Sequence, residues 1–231
     1  MLNIRQLFEP ETSTFTYLLW DEKTREAALI DSVDVTVERD IKLVNELELT
    51  LKYTLETHIH ADHITGSGKI REQLGTKAIV HKNSQSDCAD RLVSDGDIIR
   101  LGSYAILVLD TPGHTDTCIT YQTDGYVFTG DTLLIRGCGR TDFQAGDAGQ
   151  LYDSIHNKLF TLPDDTIIYP GHDYNGFSSS TIGEEKAHNP RLGNNRSRED
   201  FVKLMNSLDL EPPKNIAEAV PGNLECGLKQ G

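Results

Sequence analysis

Cysteine, aromatic residues, basic charge and long apolar runs are all in short supply in this chain of 231 residues, and each shortage closes off a class of protein. The four cysteines, Cys88, Cys118, Cys138 and Cys226, are far apart and form no CxxC pair, so neither a zinc ribbon nor a disulfide framework is signalled and reduced thiols are expected. No apolar stretch approaches the ~20 residues that span a bilayer, and the opening MLNIRQLFEP carries charges where a signal peptide needs an unbroken apolar run. A cytoplasmic protein without membrane contact is the expectation. Lys and Arg total 22 against 36 Asp and Glu, a net charge of −14 that disfavours nucleic acid as a partner. Any anionic substrate must therefore find a local cluster of cations. No Ser/Pro-rich linker, internal repeat or low-complexity segment divides the chain, which predicts a single domain over residues 1–231.

What is present is a regular alternation of strand and helix signals. Residues 2–8, 14–20 and 27–31 are short apolar segments separated by polar turns, as in an antiparallel meander. Val37, Ile41, Val44 and Leu47 recur at helical spacing. A strand at 51–57, a helix from 64, a strand at 77–81 and further strands in DIIRL, YAILVLD, CITYQT, YVFTG and TIIYP predict an α/β layer arrangement. Helices are expected over 145–162, closed by Pro163, and over 197–208, with Ser197 as N-cap. The stretch from 211 onward, rich in Pro and Gly, is expected to wrap the surface.

Of eight histidines, five stand where an apolar strand runs out: YTLET leads into HIHADH, LVLDT into PGHT, and IIY into PGHDY, while YVFT leads into GD. Strand ends hold side chains rigidly and leave the following loops free to admit substrate. His58 and His60 share one side of an extended segment, and His63 can fold back if a helix begins near Asp62. Imidazoles and carboxylates without thiolates suit a catalytic metal with an open position. Two arrangements are open on spacing alone. Two metals could share His58, His60 and His114 on one side and Asp62, His63 and His172 on the other, bridged by Asp131; or one iron could use two histidines and a carboxylate. His81, His156 and His188 lack this context and are expected to be surface or core residues.

THIHADHITGSG, TPGHTDTC, GDTLLIRGCGRTDFQ, YPGHDYNGF and NPR together resemble the metallo-β-lactamase superfamily and, within it, the persulfide dioxygenases, also called sulfur dioxygenases. That resemblance covers nearly the whole chain and implies an α/β fold, a four-layer αβ/βα sandwich with the metal site along one edge. It implies one Fe(II) per subunit held by His58, His114 and Asp131, with His60, Asp62, His63 and His172 as outer-shell groups. The implied substrates are glutathione persulfide and O2, converted with water to glutathione and sulfite. Arg140, Arg191 and Tyr174 are candidates for contact with glutathione, each arginine weighed equally against a role in holding loops; Arg136 is expected to brace its own loop and Cys138 to be inert. Superfamily relatives often pair, so a homodimer is a state to test, and a separate sulfurtransferase would supply the persulfide. Two alternatives stand beside this reading. A glyoxalase II-type binuclear hydrolase of S-lactoylglutathione shares most of these motifs, although residues 141–144 (TDFQ) depart from it, and a non-catalytic metal or persulfide sensor could use the same ligands.

Overall fold

The computed structural model describes residues 1–213 and 215–228, and among these residues two six-stranded sheets lie face to face. The first contains β1 (Leu2–Glu9), β2 (Thr14–Asp21), β3 (Glu26–Ile30), β4 (Thr50–Leu55), β5 (Lys77–His81) and β6 (Arg91–Val93), neighbours in chain order. The second contains β7 (Ile98–Leu101), β8 (Tyr104–Asp110), β9 (Ile119–Thr123), β10 (Tyr126–Gly130), β11 (Ile167–Pro170) and β12 (Ser180–Thr181), again in chain order. Helices α1 (Val37–Glu46) and α2 (Ser67–Leu74) provide the crossovers that let β3, β4 and β5 run parallel. Later come α3 (Ala148–Ser154), α4 (Ile182–His188), α5 (Arg198–Asn206) and α6 (Ile216–Leu224).

The layers follow from side-chain alternation along the strands. On β2, Tyr17 and Leu19 point between the sheets, where they meet Ile30, Leu55, Ile106, Tyr121 and Phe128. Leu18 and Trp20 point the other way, onto Val37, Ile41, Val44 and Ile70 of α1 and α2. The outer face of the second sheet, Val127 and Ile168, is covered by Leu151, Ile182, Phe201 and Met205 of α3, α4 and α5. Helix, sheet, sheet, helix is the four-layer sandwich that the family resemblance implied.

Several local expectations hold, and others need correction. Ser197 caps α5 by accepting from the Asp200 amide, and Asp147 caps α3 by accepting from Gln150. The segment carrying His63 is not the start of a helix: the backbone from 56 to 66 is irregular and α2 begins only at Ser67. The C-terminal stretch does not merely wrap the surface, because α6 forms there with Pro221 inside it. The expectation of four reduced thiols fails as well. Cys88 and Cys226, 138 residues apart, are joined in a disulfide, leaving Cys118 and Cys138 as buried free thiols.

Candidate metal centre

The C-terminal ends of β3 and β4 in one sheet and of β8, β10 and β11 in the other arrive at the same rim, and the residues just beyond them form the site. Backbone bonds lace the two sheets together there: Phe15 N–H donates to the Gly171 carbonyl at 2.8 Å, and Ile119 N–H to the Thr57 carbonyl at 2.8 Å.

His58, His114 and Asp131 each place one donor atom within 4.8 Å of the others. The non-facing nitrogen of each histidine is already engaged. Thr57 Oγ1 donates to Asp31 Oδ2 at 2.8 Å, so at 3.0 Å from His58 Nδ1 it accepts, which fixes the proton on Nδ1. His114 Nδ1 donates to the Arg140 carbonyl at 2.7 Å. Both rings thus present a bare Nε2 lone pair, the state a metal requires. Burial, reinforced by the neighbouring His60 and His114, holds His58 well below the usual histidine range and keeps it neutral. Asp131 is ionised: burial works against it, but the His172 imidazolium at 2.6 Å holds its carboxyl below the usual range.

The other predicted residues form a hydrogen-bonded surround. His172 is clamped on both nitrogens, Nδ1 to Asp131 Oδ1 at 2.6 Å and Nε2 to Asp62 Oδ2 at 2.9 Å. Burial alone would lower its pKa, yet these two carboxylates raise it well above the ordinary value, so the ring is a cation donating from both sides. Asp62 also receives His63 Nδ1 at 2.9 Å. His60 turns its Nε2 to Asp31 Oδ1 at 3.2 Å and Glu56 Oε2 at 3.5 Å; against the opposing effect of burial, these buried carboxylates raise it to about 10. His60 Nδ1 and His63 Nε2 are buried without a hydrogen-bond partner. His60, Asp62 and His63 form a second group, and Asp31, Glu56 and His60 a third, each residue placing one donor atom within 4.8 Å of the others. His81, His156 and His188 lie in none of these groups.

A cleft of about 510 Å³ opens over His114, Asp131 and His172, walled by Leu134, Ile135 and Pro213. Asp62, Asp131, Asp173 and Glu211 also line it, beside Arg136, Arg140, Tyr174 and Arg191. They are differently committed. Arg136 is bound to Glu185 and Glu184. Arg140 grips Asp142 with two bonds of 2.7 Å and donates to the Glu211 carbonyl at 2.7 Å. Arg191 donates to the Cys138 carbonyl at 3.0 Å and has no carboxylate partner among the described residues. Tyr174, 71% exposed, stacks its ring parallel to that of His172 at 6.1 Å. Cys138 is buried in the cleft wall, and burial pushes its thiol up to about 11.

Sequence reasoning missed Asp31, Glu56 and Thr57, the carboxylates and hydroxyl behind the histidines. The signal was available for Asp31, which also stands where an apolar strand, residues 27–30, runs out. It also missed Asn215 and Asn223, which reach the site from the far end of the chain.

A sequence profile described as the metallo-beta-lactamase superfamily matches residues 10–172. The human protein named persulfide dioxygenase ETHE1, mitochondrial, is 52% identical over 229 residues, 98% of this chain and 89% of the human one. The crystal structure of ETHE1 from Myxococcus xanthus matches at a TM-score of 0.96 and 52% identity, over 98% of this chain and 100% of that one. A Schizosaccharomyces pombe protein named probable hydroxyacylglutathione hydrolase is 35% identical over 166 residues, 69% of this chain and 64% of its own.

Proposed function

The chain belongs to the metallo-beta-lactamase superfamily, and within it we propose that it is a persulfide dioxygenase, oxidising glutathione persulfide with O2 and water to sulfite and glutathione. One observation carries the reading on the structural side. His58, His114 and Asp131 form a compact donor set with both Nε2 lone pairs free, whereas the nitrogens of His172 are both held by carboxylates. Two imidazoles and one carboxylate suit one Fe(II) with open positions for substrate and dioxygen. Iron held there would supply the redox chemistry by which both atoms of O2 pass to the terminal sulfur.

The protein's own groups do the rest. Asp31, through Thr57, and the Arg140 carbonyl hold the two imidazoles in one tautomer and orientation. The His172 cation fixes Asp131 Oδ1, leaving Oδ2, 3.7 Å from His114 Nε2, to face the centre. Arg191, free of carboxylate partners, is the cleft cation suited to a glutathione carboxylate. Leu134, Ile135 and Pro213 keep bulk water away from a reactive persulfide. One persulfide, one dioxygen and one water become one glutathione, one sulfite and two protons, so the sulfur is oxidised by the four electrons that reduce O2.

The unpaired His60 Nδ1 and His63 Nε2 beside Asp62 favour a second reading, a binuclear thioesterase. One preparation separates the two. Oxygen uptake matched one-to-one by sulfite from glutathione persulfide, with about one iron per chain, is the expected result. Cleavage of S-lactoylglutathione without oxygen uptake would move the assignment to the hydrolase.

A further inference from the structure

The loop from 58 to 65 carries His58 and the surrounding His60, Asp62 and His63 on irregular backbone, so its amides and carbonyls need partners other than a helix or sheet ladder. Those partners come from the C-terminal segment. Asn223, 4% exposed, donates from Nδ2 to the His60 and His63 carbonyls, each at 2.9 Å, and accepts the Thr65 amide on Oδ1 at 2.8 Å. Both of its protons and its oxygen are used. Asn215 donates to the intervening Asp62 carbonyl at 2.6 Å. Asn223 within α6 and Asn215 just before it therefore hold three carbonyls of HIHADH.

What holds α6 is local and covalent. The Cys226 carbonyl accepts from the Gly68 amide at 2.8 Å, an approach so close that a Cβ on Gly68 would stand 2.6 Å from that oxygen. Ser86 Oγ donates to the Leu224 carbonyl at 2.8 Å. The Cys88–Cys226 disulfide then ties the end of the segment to the loop before β6. Cys226 is buried, whereas Cys88 is half-buried and so is the more accessible residue of the pair to a small thiol.

We propose that Asn223 is a positioning residue for the metal centre and that the Cys88–Cys226 disulfide is a thiol-sensitive latch on the helix that carries it. The thiol is glutathione, which accumulates as product if the dioxygenase reading is correct; the inference rests on that reading for the source of thiol, not for the geometry. A glutathione thiolate attacks Sγ of Cys88, the bond to Cys226 breaks, and Cys226 leaves as a thiolate that takes up a proton. A second glutathione thiolate attacks the glutathione sulfur of the mixed disulfide and releases Cys88 as a thiol. Two glutathiones are oxidised to one glutathione disulfide as the protein disulfide gains two electrons. With the latch open, α6 keeps only its noncovalent contacts and Asn223 holds the ligand loop less persistently.

The test uses the metal-loaded protein, with and without excess glutathione, and requires neither oxygen nor persulfide. Hydrogen exchange at the Thr65 amide and the rate of metal loss to a chelator are read alongside the mass of the peptides holding Cys88 and Cys226. Glutathione should reduce the disulfide, speed exchange over 58–65 and hasten metal loss. Asn223→Ala should hasten metal loss about tenfold with the latch closed, the lower end for loss of a group that orients a ligand. Cys88→Ser should resemble the reduced protein and ignore glutathione; it keeps the proposal testable should Asn223→Ala not fold. A disulfide untouched by glutathione, or one whose opening leaves both exchange and metal loss unchanged, overturns the latch. Retained metal with unaltered exchange in Asn223→Ala overturns the positioning role, and a failed dioxygenase assay would touch neither result.

Discussion

Arg140 commits its guanidinium to Asp142 and to the carbonyls of Leu210 and Glu211, and it stacks over Phe143 with 4.6 Å to the ring centroid. Arg191, on the same cleft, keeps a guanidinium unpaired with any carboxylate among the described residues. The two should respond oppositely to truncation. Arg140→Ala should lower stability by about 1 kcal/mol, its partner Asp142 being half in water, and leave KM nearly unchanged. Arg191→Ala should raise KM more than it lowers kcat, because it removes binding shared by ground and transition states. Denaturant titration and steady-state kinetics on both variants check this, and the reverse pattern would return Arg140 to the substrate. The contrast also shows what is legible at this scale. Both arginines could be placed near the site from their motifs, but a side chain's choice between ligand and loop depends on partners such as Leu210, some 70 residues away, that local pattern does not reveal.

At the scale of elements, strand ends were the readable feature. Apolar segments of period two or unbroken burial, each closing on His, Asp or Gly, located β4, β8, β10 and β11 and the candidate ligands beyond them. Elements that depend on tertiary contact were not readable: β12 has two residues, and α6 contains Pro221 and Gly222, whose local preference is against a helix. Packing and the Asn223 bonds override that preference. Gly113 shows the same dependence at a loop, since it holds φ at +135° and a Cβ there would lie 2.3 Å from the Leu151 amide nitrogen in α3. Its carbonyl also accepts the Asp147 amide at 2.8 Å, where α3 is capped. Gly113→Ala must therefore push α3 away from the turn that presents His114. The expected result is a loss of about 2 kcal/mol, within the range for strained backbone, with a disproportionate loss of bound metal. Equilibrium unfolding and metal analysis of the variant would show it; wild-type stability with full metal content would mean that the turn adapts.

For the molecule as a whole, the candidate metal site lies on the rim of a sandwich whose core does not include it. The cluster between the sheets, from Phe15 and Tyr17 through Tyr121 to Phe128, is apolar and joined without any metal donor. The α/β alternation was legible because both sheets follow plain strand and helix periodicity, and the four-layer arrangement through the family resemblance, while the disulfide was not, because Cys88 and Cys226 are 138 residues apart and connectivity is not a property of spacing. Removing the metal should therefore leave the fold in place, unlike small domains that collapse on chelation. A lower melting temperature is expected, equivalent to about 3 kcal/mol when free metal had stood at 100 times its Kd. The chelated protein should also become acid-sensitive with a definite sign. Despite opposing burial, Asp62 is held below the ordinary carboxylate value of 3.8 by the neighbouring His63 and His172, and Asp131 chiefly by the His172 cation, so the unfolded chain binds protons first as pH falls. Their contribution is complete above pH 3.8 and is lost on further acidification. His172, raised above 6.5, contributes fully below that value and loses its contribution as pH climbs through the raised pKa. Melting curves of the chelated protein across this range should peak between these limits, with an unchanged far-ultraviolet spectrum at the peak. Unfolding on chelation at neutral pH would instead make the metal a structural element and favour a sensor over an enzyme.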